Sequence, residues 1–218
     1  MKWSRVKRAI SRYDQRLLRD YMMQAGPRKL HVGGGWYTLP GWLNTDIDTV
    51  PGVMYMDATR PFPLPDASFD AVYSEHMIEH VPYSSGLAML SESYRVLRSG
   101  GTIRIVTPDI RSVLSLADAE GDELRSRYLA WFCDTFCPPG TPASWEQAVN
   151  TFFYSWGHQF IYTEKTLCAS LVESGFVNIR RTLLNESKVE SLRGLANEAR
   201  HPEGFLEFES LTLEADKP

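Results

Sequence analysis

The chain of 218 residues lacks any apolar run near the eighteen or so residues of a spanning helix, so no transmembrane segment is expected. Its first residues lack a continuous apolar stretch with a small-residue cleavage site, so no secretory signal is expected either. It has only three cysteines, Cys133, Cys137 and Cys168. They are too few and too irregularly spaced for a disulfide framework, and a reducing cytoplasm is the simplest setting. There is no internal repeat and no low-complexity tract, which excludes repeat architectures and compositionally disordered linkers. Basic charge is not in excess: the net charge is −4. That argues against a dedicated nucleic-acid binder, and no nucleic-acid partner is expected.

What is present is a core. Hydrophobic residues make up 43% and aromatics 12% of a chain long enough for one domain. Charge is unevenly placed. Residues 1–29 hold nine Lys or Arg against Asp14 and Asp20, while the remainder holds 14 basic and 25 acidic residues. Trp3, Val6, Ile10, Tyr13, Leu17 and Tyr21 recur at three- and four-residue steps, which predicts an amphipathic helix over 3–24. Its simplest role is to cap the domain. Its basic face also leaves room for peripheral contact with an anionic lipid surface or a charged substrate. Gly26-Pro27 closes the segment.

Short apolar segments then alternate with connectors. Lys29–Gly33, Trp42–Ile47, Gly52–Asp57, Phe69–Ser74 and Thr102–Val106 read as strands. A helix is predicted over 83–98, stopped by Gly100-Gly101. This alternation predicts a parallel sheet covered on both faces. The second half is less regular. It reads as helix over 110–135, a loop over 138–150 leading into another helix, a helix over 163–174 capped by Thr163, and strands over 177–183 and 208–214.

The most informative stretch is 30–48. An apolar run ends in Gly33-Gly34-Gly35, and the next ends in Thr45-Asp46-Ile47-Asp48. Nucleotide-type cofactors sit where parallel strands end. Glycines let the backbone approach such a ligand, and an acid closing the next strand accepts hydrogen bonds from ribose hydroxyls. Further elements follow in order: Asp57-Ala58 after the third strand, Phe62–Asp70 leading into the fourth, and Val96–Gly101 before the fifth.

Together these elements resemble the class I S-adenosylmethionine-dependent methyltransferases, the small group with a methyltransferase-11-like core. The likeness is close over 29–110 and loose over 158–216. It implies an α/β fold: a Rossmann-like, doubly wound, mostly parallel sheet of seven strands with the last antiparallel. To these it adds the N-terminal helix of 1–28 and, within a methyltransferase domain of 29–218, a helical cap at about 110–160. It implies S-adenosyl-L-methionine as cofactor. Gly33, Gly34 and Gly35 would lie beside its methionyl part, Asp46 at the ribose, Asp57 and Ala58 at the adenine, and Ser74 and Glu75 near the sulfur. Asp48 competes with Asp46, which the family position favours. This chain departs from the family in two ways. His31 stands where an acid usually faces the cofactor's ammonium group. The residues between Gly35 and the second strand are too few for a crossover helix, so Trp36–Gly41 must be a turn or a single helical turn.

His76-Met77-Ile78-Glu79-His80 matches the H-x-x-E-H pattern of one class of zinc peptidases. The context differs: His76 follows directly on a strand, and Pro82 interrupts any helix soon after His80. No metal ligand is expected here, nor from Cys133, Cys137 and His158, where two buried thiols on a helix face are the simpler reading. An oxygen or nitrogen acceptor generally must lose a proton, and the candidates to take it are His158, His76 and Asp109, with His80 behind them. The expected function is methyl transfer to a small-molecule or glycan-like acceptor, at O or N. Its pocket would draw on the aromatic residues between Tyr128 and Trp156. A non-catalytic cofactor-binding module, suggested by His31, is the alternative, and a zinc hydrolase a further one. Oligomeric state is left open by the sequence.

Overall fold

The computed structural model describes residues 11–48 and 50–218. The helix predicted over 3–24 is found as α1, Arg12–Met22; its residues 3–10 lie outside the described ones. Ser11 caps α1 by accepting from the Asp14 amide, while the Asp14 carboxylate accepts from the Ser11 amide. This reciprocal box satisfies two otherwise orphaned donors.

A single sheet organises the rest. Its strands are β1 (Lys29–Val32), β2 (Leu43–Asp46), β3 (Met54–Tyr55), β4 (Phe69–Glu75), β5 (Leu97–Pro108), β6 (Val177–Arg181) and β7 (Ser210–Asp216). They lie in the order β3-β2-β1-β4-β5-β7-β6. The first five pair in parallel, and β7 runs antiparallel to both β5 and β6. The expected mostly parallel sheet with an antiparallel last strand is therefore present. The order reverses beside β1, where β2 and β4 flank it, and open α/β sheets place ligands at such a switch point.

Side-chain alternation divides the core between the two faces of the sheet. On one face Leu30, Val72, Ile103, Ile105, Leu211 and Leu213 pack with Met89 and Leu90 of α2 (Tyr83–Val96) and Leu167 and Leu171 of α6 (Glu164–Glu173). On the other, Tyr73 and Val106 meet Trp42, Leu184, Leu192 and Leu206. A separate cluster holds together α3 (Ile110–Leu114), α4 (Glu123–Phe136), α5 (Trp145–Tyr154) and α7 (Phe205–Glu209). Among the described residues no helix is long and apolar enough to cross a membrane.

Several boundaries differ from the sequence reading. α2 ends at Val96, before Gly100-Gly101, because Leu97 turns extended and begins β5 opposite Phe69. The span 110–135 is interrupted: a 3-10 turn at Ser115–Asp118 follows α3, and Asp122 then caps α4. α5 already begins at Trp145 inside the predicted loop. Residues 208 and 209 close α7, so the last strand starts at Ser210. Thr163 caps α6 as expected, and Trp36–Gly41 forms turns without a helix.

Candidate active site

The glycine loop is clamped to the end of β2. The Gly33 and Gly34 amides both donate to the Thr45 carbonyl, at 2.9 and 3.2 Å. Gly33 and Gly35 have φ of 73° and 53°, a conformation that a side chain disfavours. A Cβ on Gly33 would also lie 2.2 Å from Cγ of Met77. A Cβ on Gly35 would meet nothing nearer than Asp46 Oδ2, at 4.0 Å, so the chain here faces open space beside the acid. Asp46 Oδ2 accepts from the Gly35 amide at 2.7 Å and Oδ1 from the Asp48 amide at 2.8 Å. A carboxylate offers about four lone-pair sites, so two remain for a diol. These residues fit the ribose of a nucleoside cofactor.

A cleft of about 400 Å³ opens from the loop, within the usual size range of small-molecule sites. Gly33–Gly35, His31, Glu75 and His76 line it. Asn197 and Arg200 approach from the 190–200 loop. Glu75 is 7% exposed. It is held by the Tyr73 hydroxyl at 3.2 Å, the Asn197 amide at 3.3 Å and Arg200 at 3.2 Å. Asn197 and Arg200 carry no local sequence signal, because they reach the cleft from a loop distant in the chain. Ser74, one residue before Glu75, projects to the opposite face of β4, and its buried hydroxyl has no hydrogen-bond partner among the described residues.

His31 is buried beneath the loop; a Cβ on Gly34 would meet its ring at 2.5 Å. Asn44 Oδ1 accepts from the Leu39 amide, and its Nδ2 donates to the Leu39 and Trp42 carbonyls. The same Oδ1 lies 3.0 Å from His31 Nδ1, which must therefore carry the proton and leave a lone pair on Nε2. Burial pushes the His31 imidazole below its ordinary pKa, against the opposing Asn44 bond and the charge of Glu75. The unfolded chain then binds a proton that the folded chain refuses. Stability is complete above the ordinary value of about 6.5 and falls as pH drops from there toward the folded pKa, by up to about 1.4 kcal/mol per pH unit. Thermal unfolding between pH 7.5 and 5.5 should show this decline, and His31→Gln should flatten it; an unchanged slope in the variant would remove His31 as its cause.

Asp57 Oδ1 accepts from the Thr59 amide and hydroxyl, and Oδ2 lies 3.3 Å from Arg60 Nε. Ala58 packs against the main core. Asp109 is occupied as the cap of α3, accepting from the Arg111 amide at 2.9 Å, with Arg181 at 3.7 Å. The other proton-transfer candidates converge. His76, with φ of 47°, is held in a region where a side chain is uncommon, and its amide donates to Val106. Its Nδ1 lies 3.3 Å from Oε1 of fully buried Glu79. Burial alone would lower the His76 pKa and raise that of Glu79. Their contact reverses both, so His76 titrates above and Glu79 below its ordinary value. His158 Nδ1 donates to the Phe152 carbonyl at 2.7 Å, and its ring stands 4.8 Å from that of His80. Burial lowers the His158 pKa.

Residues 76–80 do not form the helix that would align His76 and His80 on one face; Ile78–His80 is a single 3-10 turn. Cys133 and Cys137 lie in the helical core, Cys133 against the Ser144 carbonyl and Cys137 against the Thr151 hydroxyl. The aromatic set is mostly core as well: Tyr128, Phe132 and Phe152 are buried. Trp156 is 46% exposed and lies 5.7 Å from His158.

This strand order, with a glycine loop after β1 and an acid closing β2, defines a class I methyltransferase-type fold. Residues 43–105 match the family model described as "Methyltransferase domain". A S-adenosylmethionine-dependent methyltransferase from Archaeoglobus fulgidus superposes with a TM-score of 0.54 at 17% identity, over 94% of this chain and 93% of that one. A second, from Mesorhizobium loti, gives 0.50 at 18% identity, over 94% and 97%. No curated relative matches the sequence. These likenesses show the fold, and residues 43–105 carry the methyltransferase-domain match.

Proposed function

We propose that the protein moves a methyl group from S-adenosylmethionine to an oxygen or nitrogen of a small, glycan-like acceptor. The cofactor brings its methyl on a sulfonium, an electrophile that needs no further activation. The chain must bind it, exclude water and align the acceptor. In this reading Asp46 accepts from both ribose hydroxyls, and Asp57 and Ala58 flank the adenine. The backbone of Gly33–Gly35 passes along the methionyl part. Glu75 provides the negative charge for the ammonium group, and the Nε2 lone pair of neutral His31 stands in for the usual acid. Ser74 and Asp109 receive no role, since one faces away and the other caps a helix.

The observation that carries the reading is the cleft itself, whose lining brings together the glycine loop and His76. Contact with Glu79 increases the basicity of His76, which suits a proton acceptor for a hydroxyl or amine. His158 is the second candidate. Trp156 supports the acceptor class, because a half-exposed ring beside the histidines suits the apolar face of a sugar. We place the methyltransferase domain at 29–218, with about 110–160 on the acceptor side and 1–28 as a basic arm able to touch an anionic surface. The free thiols suit the cytoplasm.

Calorimetric titration with S-adenosylhomocysteine, followed by transfer of labelled methyl to a panel of sugars and small amines, tests this. Micromolar binding with labelling of a sugar or amine, lost in His76→Asn, is expected. No binding by the folded protein would overturn the cofactor assignment, and labelling confined to apolar acceptors would overturn the acceptor class.

A further inference from the structure

Glu79, the partner of His76, is also the centre of a second cluster of donor atoms. Glu79, His80 and His158 each offer one donor atom, and these three atoms lie within 4.8 Å of one another. Glu79 Oε2 is satisfied by the Thr107 hydroxyl at 3.0 Å. Its Oε1 is buried with no hydrogen bond from the described residues, with His80 Nε2 at 3.9 Å and His76 Nδ1 at 3.3 Å. A fully buried carboxylate oxygen held only by these long ion-pair contacts keeps lone-pair capacity for a further ligand.

The surroundings are organised as outer shells of metal sites are. His158 gives its Nδ1 proton to the Phe152 carbonyl, which fixes the tautomer and leaves Nε2 with a free lone pair. The chain beside it is fastened to the other two donors. The Gln159 and Phe160 amides donate to the Glu79 carbonyl at 2.7 and 3.2 Å, and the Gln159 side chain donates to the His80 carbonyl at 2.7 Å. Two segments almost eighty positions apart in sequence are thus locked where their donors converge. The strained backbone at His76 sits at the edge of the same cluster.

The geometry points to a divalent metal site formed by Glu79, His80 and His158. Two imidazoles and one carboxylate suit a first-row transition ion such as Mn²⁺, Fe²⁺, Co²⁺ or Zn²⁺, and not Mg²⁺ or Ca²⁺, which favour all-oxygen sets. Three protein ligands leave coordination positions open, the pattern of sites that act on a bound molecule. An acceptor hydroxyl taken up there would lose its proton more readily and be held near the cleft, with His76 in place to receive that proton. This last role rests on the methyltransferase reading; the binding of the ion does not.

The test uses the full chain, stripped with chelator and titrated with Co²⁺, whose visible absorption reports its ligands. One equivalent is expected to bind. His80→Ala and His158→Ala should each weaken binding about tenfold or more, with near-ultraviolet dichroism showing that both variants fold. Asp46→Ala should bind Co²⁺ as the parent does. Absence of stoichiometric binding would overturn the inference, as would a thiolate spectrum lost only in Cys133→Ser or Cys137→Ser. S-adenosylhomocysteine titrated into the same stripped protein separates the two readings. Cofactor binding without Co²⁺ binding defeats the metal site alone, and Co²⁺ binding without cofactor binding defeats the methyltransferase site alone.

Discussion

Asp46→Ala should weaken binding of S-adenosylhomocysteine by about two orders of magnitude. The side chain closes β2 with both oxygens already fixed, one by the Gly35 amide and one by the Asp48 amide. That pre-organisation leaves the remaining lone pairs aimed without further ordering cost. Two charge-assisted bonds to a ribose diol, each contributing about 1.5–3 kcal/mol, give roughly 3 kcal/mol or more. At about 1.4 kcal/mol per decade this is a factor of a hundred or more. Alanine also releases the Gly35 amide and with it one tie on the loop. Asp46→Asn separates these effects. Its single oxygen can serve one backbone amide, while its NH₂ must meet the other donor to donor. Asparagine should therefore recover little of the affinity. Calorimetry on both variants, with thermal unfolding as the control for folding, makes the measurement. Loss below threefold in the alanine variant would show that the ribose lies elsewhere.

The part of this site that follows strand ends was legible in the sequence. Gly33–Gly35 and Asp46 announce themselves because β-strand, tight loop and terminal acid are local in the chain, and local patterns survive without tertiary information. The sheet followed from the same alternation. What could not be read was set by long-range contacts. Gly100-Gly101 resembles a helix stop, yet α2 ends four residues earlier, where Leu97 is claimed by Phe69 and Arg98 by an ion pair with Asp70. Residues 208 and 209 read as the start of the last strand but close α7, with Phe205 buried against Tyr128 and Glu209 bonded to the Tyr128 hydroxyl. The histidines show the same limit. Helical spacing made His76 and His80 the pair to consider, whereas the 3-10 turn separates them and pairs His80 with His158 through the backbone bonds of Gln159. Arg200 and Asn197 were invisible for the same reason, since only the folding of residues 182–200 back over the sheet brings them to Glu75.

That folded-back segment depends on one buried cation. Arg104→Met should destabilise the protein by about 3–5 kcal/mol, the usual cost of breaking a buried charge pair by removing one partner. For a chain of this size the midpoint of thermal unfolding should fall by roughly 10 °C. Arg104 on β5 and Glu214 on β7 are both fully buried, joined at 2.9–3.0 Å across the antiparallel ladder. Burial pulls the Arg104 pKa down, and Glu214 is the main counterweight. The remaining guanidinium protons donate to the Leu184 carbonyl at 2.9 Å, the Thr182 hydroxyl at 3.0 Å and the Glu186 carbonyl. Methionine fills the volume but leaves these acceptors and half of Glu214 unanswered; Arg180, at 2.9 Å, still neutralises the other half. Replacing both partners, as Arg104→Met with Glu214→Leu, should recover part of the loss, and a double-mutant cycle would measure the coupling. The consequence reaches the cleft. Asn185, next to the Leu184 and Glu186 carbonyls that Arg104 holds, ties down residues 194 and 196, and through them the chain that carries Asn197 and Arg200 to Glu75. Cofactor affinity should therefore fall in the single variant even at temperatures where it remains folded. A variant with lowered stability and full affinity would mean that the loop is held over the cleft by its own contacts with Glu75.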